Sequence, residues 1–210
     1  MTERRKTDRR KSEPAPNPAG YADPVSTAMA SLLSVHAALT PEWLIDATCT
    51  AAERTLNATF TFVYFEEQDG RLAPMPPASD IRRRSLQRAV DAFGFDLLRM
   101  KLDPTDAQAI IEALDTRNTI NTTPAEAFGG VARGAADAAK SLGVSTATIV
   151  PLENAGERLG AMVLLLHAKP NADHAKLLGE HVASAAVNLR QTHQAREQGV
   201  IDVVRSVFDA

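Results

Sequence analysis

Apolar residues recur along this chain in two periods, and the changes of period predict an order of helices and strands. From Asp23 to Leu56 they recur every three or four residues, which predicts two helices. Thr40 and Pro41 mark the start of the second helix, as N-cap and first helical residue. The alternating segment 59–65 then predicts a strand rich in β-forming residues.

The next segments predict a turn and more helix. Asp69-Gly70 is typical of a tight turn, and the prolines that follow limit the returning strand to a short or edge position. Helical spacing returns from Ser79 to Leu102, and a further helix is expected to begin at Asp103 or Thr105.

The second half of the chain predicts the centre of the sheet. A short strand is expected within 118–124, and a helix of small residues within 125–143, ending at a glycine. The segments 144–152 and 159–167 predict a hairpin, and the run 162–166 is too apolar for a half-exposed strand. The remaining sequence is helical almost without interruption.

Residues 1–25 differ from everything after them. Six basic side chains precede several prolines, so this basic, proline-rich segment predicts a disordered tail. The alternative is that Arg5 and Arg9 bind phosphate, because their spacing resembles the arginine motif of PilZ cyclic-di-GMP receptors. The barrel and the second motif of those receptors have no counterpart in this sequence.

Charge and composition narrow the functional classes. The net charge of −3 argues against a nucleic-acid partner. A single cysteine excludes an internal disulfide and is typical of a reducing, cytoplasmic location. The longest apolar run, 161–168, is too short to span a bilayer, and no secretory signal opens the chain, so no membrane partner is expected.

The sequence carries no motif that indicates catalysis. Cys49 lies on the apolar stripe of the second helix, which predicts a buried core residue. His174 and His181 are seven residues apart, not the three or four of a helical metal pair. With no Gly-x-Ser-x-Gly either, we predict no catalytic residue, metal or cofactor, and we predict that this chain is not an enzyme.

The order of elements over roughly 40–193 resembles the GAF family of sensory domains. Its most specific stretches are "VSTATIVPLENAGERLGAMVLLL" and "HVASAAVNLRQT". The resemblance implies an α/β fold of the α+β type, with a central antiparallel sheet flanked by helices, over residues 26–193. It also implies pairing through the first and last helices. The cyclic-nucleotide and bilin-attachment signatures of GAF subfamilies are absent.

One interpretation of residues 79–122 is that they enclose a ligand pocket against the sheet. Arg84, with the two arginines before it, would lie at its mouth and favour an anionic small molecule of unknown identity. The lining would include four side chains: Phe62, Tyr64, Met75 and Met100. The alternative is an ordinary packed core with solvated arginines.

The last helix predicts a parallel homodimer and a signalling role. Its seam has coiled-coil spacing and then continues beyond the domain, in the linker helix 194–210, with further branched residues. The seam comprises Leu178, Val182, Ala185, Leu189, Val200, Val203 and Val207. Beyond Thr192 these side chains would be exposed in a monomer, so we expect a second copy to cover them.

The closing segment "DVVRSVFDA" is similar to the start of GGDEF (diguanylate cyclase) domains. Asp202, Val204 and Val207 match the motif, whereas the last two residues and the Arg205-Ser206 pair depart from it. The resemblance implies a sensor that regulates an output domain in cyclic-di-GMP signalling. The alternative is a stand-alone small-molecule-binding protein or an enzyme on this scaffold, such as the related methionine-sulfoxide reductases, which need pocket cysteines.

Overall fold

The computed structural model describes residues 24–132 and 134–208, and its centre is one sheet. The strands of the described residues are β1 (Ala58–Glu66), β2 (Leu72–Pro74), β3 (Ile120–Thr122), β4 (Thr146–Asn154) and β5 (Glu157–Leu166). Their order is β2-β1-β5-β4-β3, and each neighbouring pair is antiparallel. The predicted class, an antiparallel sheet flanked by helices, is therefore confirmed.

Helices cover both faces of this sheet. Those in the described residues are α1 (Pro24–His36), α2 (Pro41–Leu56), α3 (Asp80–Phe93), α4 (Gln108–Thr116), α5 (Pro124–Phe128), α6 (Ala135–Ser141) and α7 (Ala172–Phe208). The buried side chains form two separate clusters. One packs α1, α2 and α7 on one face of the sheet, and the other packs α3 to α6 on the opposite face. The predicted tail, 1–25, lies outside the described residues except for its last two.

The β4–β5 hairpin lies at the centre of the sheet, as the sequence predicts. Its turn places Ala155 and Gly156 at φ 51° and 84°, which matches the twist of the flanking strands. Gly160 lies against β1, where a Cβ would stand 2.0 Å from the Tyr64 carbonyl oxygen. Only glycine allows the two strands to approach this closely.

Two helix starts follow the predicted caps. The Thr40 hydroxyl accepts a hydrogen bond from the amide of Trp43 at 3.3 Å, and Pro41 is the first helical residue of α2. The Ser79 hydroxyl caps α3 in the same way. However, α3 ends at Phe93 and not at Leu102, because Gly94 adopts a left-handed conformation at φ 72°.

The helix predicted over 125–143 is two short helices, α5 and α6. The Thr123 hydroxyl and the Glu126 carboxylate form a capping box that starts α5. The glycine pair after Phe128 then interrupts the helix, and at Gly130 a Cβ would stand 2.4 Å from the Asp106 carbonyl oxygen. The loop before α4 therefore packs against this interruption, and α4 begins at Gln108 rather than at Asp103 or Thr105.

Polar contacts connect α2 on one face to α3 on the other. The Asp46 carboxylate, nearly buried, accepts hydrogen bonds from the backbone amide and the hydroxyl of Ser79 at 2.8 and 2.9 Å. Arg82 adds an ion pair with Glu53 at 2.9 Å. Since the same Ser79 caps α3, these contacts fix the start of α3 relative to α2.

Candidate functional site

The structure does not bring the five predicted ligand residues together. Phe62 and Tyr64 are fully buried on the α3–α6 face, whereas Met75 packs against the buried side chains of the opposite face. The side chains of Arg84 and Met100 are exposed. Whether any of them binds a ligand stays a prediction, but they do not line one cavity.

The two arginines before Arg84 have partners within the chain. Arg82 pairs with Glu53, and the Arg83 side chain donates a hydrogen bond to the Pro77 carbonyl at 2.7 Å. These contacts hold the start of α3 against α2 and the preceding loop. The carboxylate of Glu53 also partly offsets the positive charge that Arg82 would offer to an anionic ligand.

Aromatic side chains fill the space between the sheet and α3–α6. The ring of Phe128 meets those of Phe62, Phe93 and Phe95 edge to face, with centroids 6.4, 5.6 and 6.0 Å apart. Beside them, the Tyr64 hydroxyl donates a hydrogen bond to the Leu97 carbonyl at 3.3 Å, and burial raises the pKa of this phenol. The region in which a pocket is expected is therefore occupied by the protein's own core.

Phe128 lies at the centre of this cluster, which the sequence does not predict. Its side chain is fully buried, yet it lies in an alanine- and glycine-rich segment that predicts small-residue packing. The sequence feature that could have indicated a buried ring here is the single aromatic residue directly before Gly129-Gly130.

Cys49 is buried in the core of the α1–α2–α7 face, as predicted. Its thiol donates a long hydrogen bond to the Thr61 carbonyl at 3.6 Å. Burial raises the pKa of the Cys49 thiol to about 12, and the nearby Asp46 and Glu53 carboxylates add to this, while Arg82 opposes it. Since the thiolate is the reactive form, this environment disfavours thiol chemistry at physiological pH.

Three cavities lie on the surface of the described part of the chain, outside this filled core. One of about 790 Å³ lies at the turn ends of β1 and β5. It is bordered by ion pairs, including Arg158 with Glu66 and Arg190 with Glu157. A smaller one, of about 310 Å³, lies beside the start of α7 and includes His167. Within the described residues, no three His, Cys, Asp or Glu side chains are placed to hold a metal ion.

The third cavity is a groove of about 610 Å³ between α1 and α2. Its floor is formed by small side chains from both helices, and Trp43 and Leu39 stand beside it, 56% and 79% exposed. Along α1, Val25, Met29 and Leu33 are spaced four residues apart, and each is more than half exposed. We call Val25, Met29, Leu33, Leu39 and Trp43 the α1–α2 apolar surface. The four-residue spacing makes the exposed side chains of Val25, Met29 and Leu33 neighbours on α1, and adjacent apolar exposure is typical of an interaction site.

The predicted seam of α7 packs largely inside the domain. Leu178, Val182 and Ala185 are buried against the sheet and α2, and Leu189 is partly buried there. These positions are therefore not available as a dimer seam, because the sheet already covers them. The side chains of the other three predicted seam residues, Val200, Val203 and Val207, lie outside the described residues.

Helix α7 nevertheless continues well past the sheet. It has 37 residues, which corresponds to about 55 Å, and all six side chains over 191–196 are exposed. Among the helices within the described residues, none combines the length and the hydropathy that a bilayer-spanning segment requires.

No protein-family model matches this sequence, and no curated protein matches it. Solved structures do match the fold. The GAF domain of an Acinetobacter phosphoenolpyruvate-protein phosphotransferase is 9% identical with a TM-score of 0.55, covering 81% of this chain and 94% of that one. This chain has a GAF-like fold.

Two other matches show how widely this fold is used. Free methionine-R-sulfoxide reductase from Neisseria meningitidis, solved with its substrate, is 11% identical with a TM-score of 0.55, covering 82% of this chain and 96% of the enzyme. The chromophore-binding domain of a Stigmatella aurantiaca bacteriophytochrome is 12% identical with a TM-score of 0.52, covering 78% of this chain. This chain spans 60% of that domain. The GAF-like fold therefore does not identify a ligand.

Proposed function

We propose that this chain is a regulatory GAF-like domain that pairs with a second copy and transmits a signal through α7 to an output domain. The single observation that carries the proposal is the continuation of α7, whose side chains are exposed over 191–196 while the helix persists to Phe208. A helix that leaves a domain in this way can couple it to whatever follows, because packed helices have discrete arrangements.

The proposed pairing surface combines α1, α2 and the exposed part of α7. Met29 and Leu33 share one side of α1 with His36, which contacts His181 of α7, so this part of the α1–α2 apolar surface lies beside α7. Two-fold pairing of this surface would cover its large apolar side chains and bring two α7 helices side by side. The buried stripe of α7 takes no part in this arrangement.

The output domain is proposed to act in cyclic-di-GMP signalling. Support comes from the similarity of the segment from Asp202 to the start of diguanylate cyclase domains. Because the segment departs from that motif at Arg205 and Ser206, the proposed output is either a cyclase-like domain without cyclase activity or a domain of another type. We propose no catalytic step for the chain itself.

A second function has one observation in its favour. The reductase of Neisseria meningitidis shares the fold over 82% of this chain, so a small-molecule-binding protein or an enzyme on this scaffold is the alternative. The buried thiol of Cys49 and the filled interior behind Phe128 support the regulatory role instead.

Light scattering of the full chain tests the pairing. We expect a dimer at tens of micromolar, and a monomer for Met29→Glu/Leu33→Glu, because two carboxylates would be placed within the apolar contact. Ile81→Glu is the matched control, since Ile81 is 84% exposed on α3, outside the proposed contact. A monomeric parent chain, or a double variant that stays dimeric, would contradict the proposed surface.

A further inference from the structure

One polar contact joins the last turn of α1 to α7. Nε2 of His36 and Nδ1 of His181 lie 2.8 Å apart, and the two rings meet edge to face with centroids 5.1 Å apart. A hydrogen bond between two imidazole nitrogens needs one donor and one acceptor. At least one of the two rings must therefore be neutral for the contact to exist.

Protonation affects this contact in two steps. The first proton leaves it intact, because a cationic ring can donate to a neutral one. The second proton removes the only acceptor and places two positive charges side by side.

The environment of His181 opposes the second proton. Burial lowers the pKa of His181 below its ordinary value of 6.5, the charge of His36 lowers it further, and Glu180 raises it. For a histidine with a lowered pKa in the folded state, the stabilising contribution is present above pH 6.5. It is lost as the pH falls through the lowered value.

Within residues 24–132 and 134–208, few other charges face the pair. The sequence of α1 has no ionisable side chain besides His36. On α2, Asp46 is hydrogen bonded to Ser79 and Glu53 is paired with Arg82, so both are directed toward α3. The remaining charges of α2 are Glu42 in its first turn and Arg54, which lines the α1–α2 groove. Glu180 on α7 is thus the acidic group acting on His181.

We propose that His36 and His181 form a pH-sensitive latch, which holds the end of α1 on α7 while one ring is neutral and releases it when both are protonated. Loosening α1 would alter the α1–α2 groove, because α1 forms one of its walls. The latch lies within one chain, so it stands whether or not the chain forms a dimer. It makes the surface of α1 responsive to mildly acidic conditions.

Trp43 offers a direct reporter, since it is the only tryptophan of the chain and lies at the α1–α2 groove. We expect its fluorescence in the full chain to change between pH 8 and pH 5, with a midpoint below 6.5. His36→Gln and His181→Gln should each abolish the change, because glutamine donates and accepts hydrogen bonds but gains no charge. His174→Gln, at an exposed position on the same helix, should retain it.

Hydrogen exchange gives an independent readout on α1 itself. After correction for the intrinsic pH dependence of exchange, protection of the amides in 24–36 should fall roughly tenfold between pH 7.5 and pH 5.5, while that of α2 is retained. The fall should be absent in His181→Gln, whose fold is checked by circular dichroism. The latch is refuted if α1 keeps its protection at pH 5.5, or if His181→Gln loses it as the parent chain does.

Discussion

The two faces of the sheet are packed in different ways. On the α3–α6 face, aromatic rings from β1, α3 and α5 meet in one cluster and fill the interior. On the other face, aliphatic and small side chains of α1, α2 and α7 form the core, while the outer sides of α1 and α2 expose large apolar residues. The aromatic cluster therefore lies inside the domain, whereas the large apolar side chains that α1 and α2 expose are those that the proposed pairing would cover.

The largest expected effect is at the centre of the filled face. Phe128→Ala should lower the free energy of unfolding by about 3–5 kcal/mol, because it removes a buried ring and leaves a cavity among three other aromatic side chains. Urea denaturation followed by circular dichroism measures it. A loss below about 1 kcal/mol would mean that this face is loosely packed and has room for a ligand.

The second expected effect concerns Cys49 on the opposite face. With its pKa raised to about 12 by burial, the thiol should react with a disulfide reagent at pH 8 on the order of a thousandfold more slowly than in the urea-unfolded chain. The rate of labelling measures it, and the unfolded chain is the control. Rapid labelling of the native protein would favour the enzyme alternative.

A smaller effect is expected where two loops approach on the filled face. Gly130→Ala should cost about 1–3 kcal/mol, because the added Cβ meets the backbone of Asp106 and not a flexible side chain. Gly134→Ala is the matched control, since a Cβ there has no neighbour within 4 Å among the described residues. Equal unfolding midpoints for the two variants would contradict the close approach.

The smallest expected loss of stability is at the ion pair between Arg82 on α3 and Glu53 on α2. Arg82→Met should cost less than about 1 kcal/mol, because its partner Glu53 is 59% exposed and water screens the ion pair. Arg84→Met, at the neighbouring exposed position, should change the melting temperature less still. A larger loss of stability for Arg84→Met than for Arg82→Met would contradict the solvent-exposed position of the Arg84 side chain.

Local signals in the sequence were enough to predict most of the fold. The caps at Thr40 and Ser79 and the β4–β5 hairpin depend on residues close together in the chain, so their chemistry is readable locally. The break between α5 and α6 was missed, because it depends on the approach of Gly130 to Asp106, a contact between distant segments.

The sequence predicts the candidate site less well, because the site also depends on contacts between segments that are distant in the chain. An apolar stripe such as Leu178 and Val182 has the same spacing whether it covers a sheet or a second helix, so sequence cannot choose between them. Likewise, alternation placed Phe62 and Tyr64 on one side of β1 but gave no sign that Phe128 would fill the space beside them. Both questions are decided by tertiary packing.

The central claim is that two copies pair with their α7 helices parallel, so that both leave the domains on the same side. It can be tested by the distance between nitroxide labels at Gln191→Cys in a Cys49→Ala background, since Gln191 is exposed on α7. Parallel helices with axes about 10 Å apart should place the two labels within about 25 Å. Antiparallel pairing centred near residue 202 would instead place them about 33 Å apart or more. That longer distance, or the absence of any dipolar coupling at tens of micromolar protein, would contradict the account.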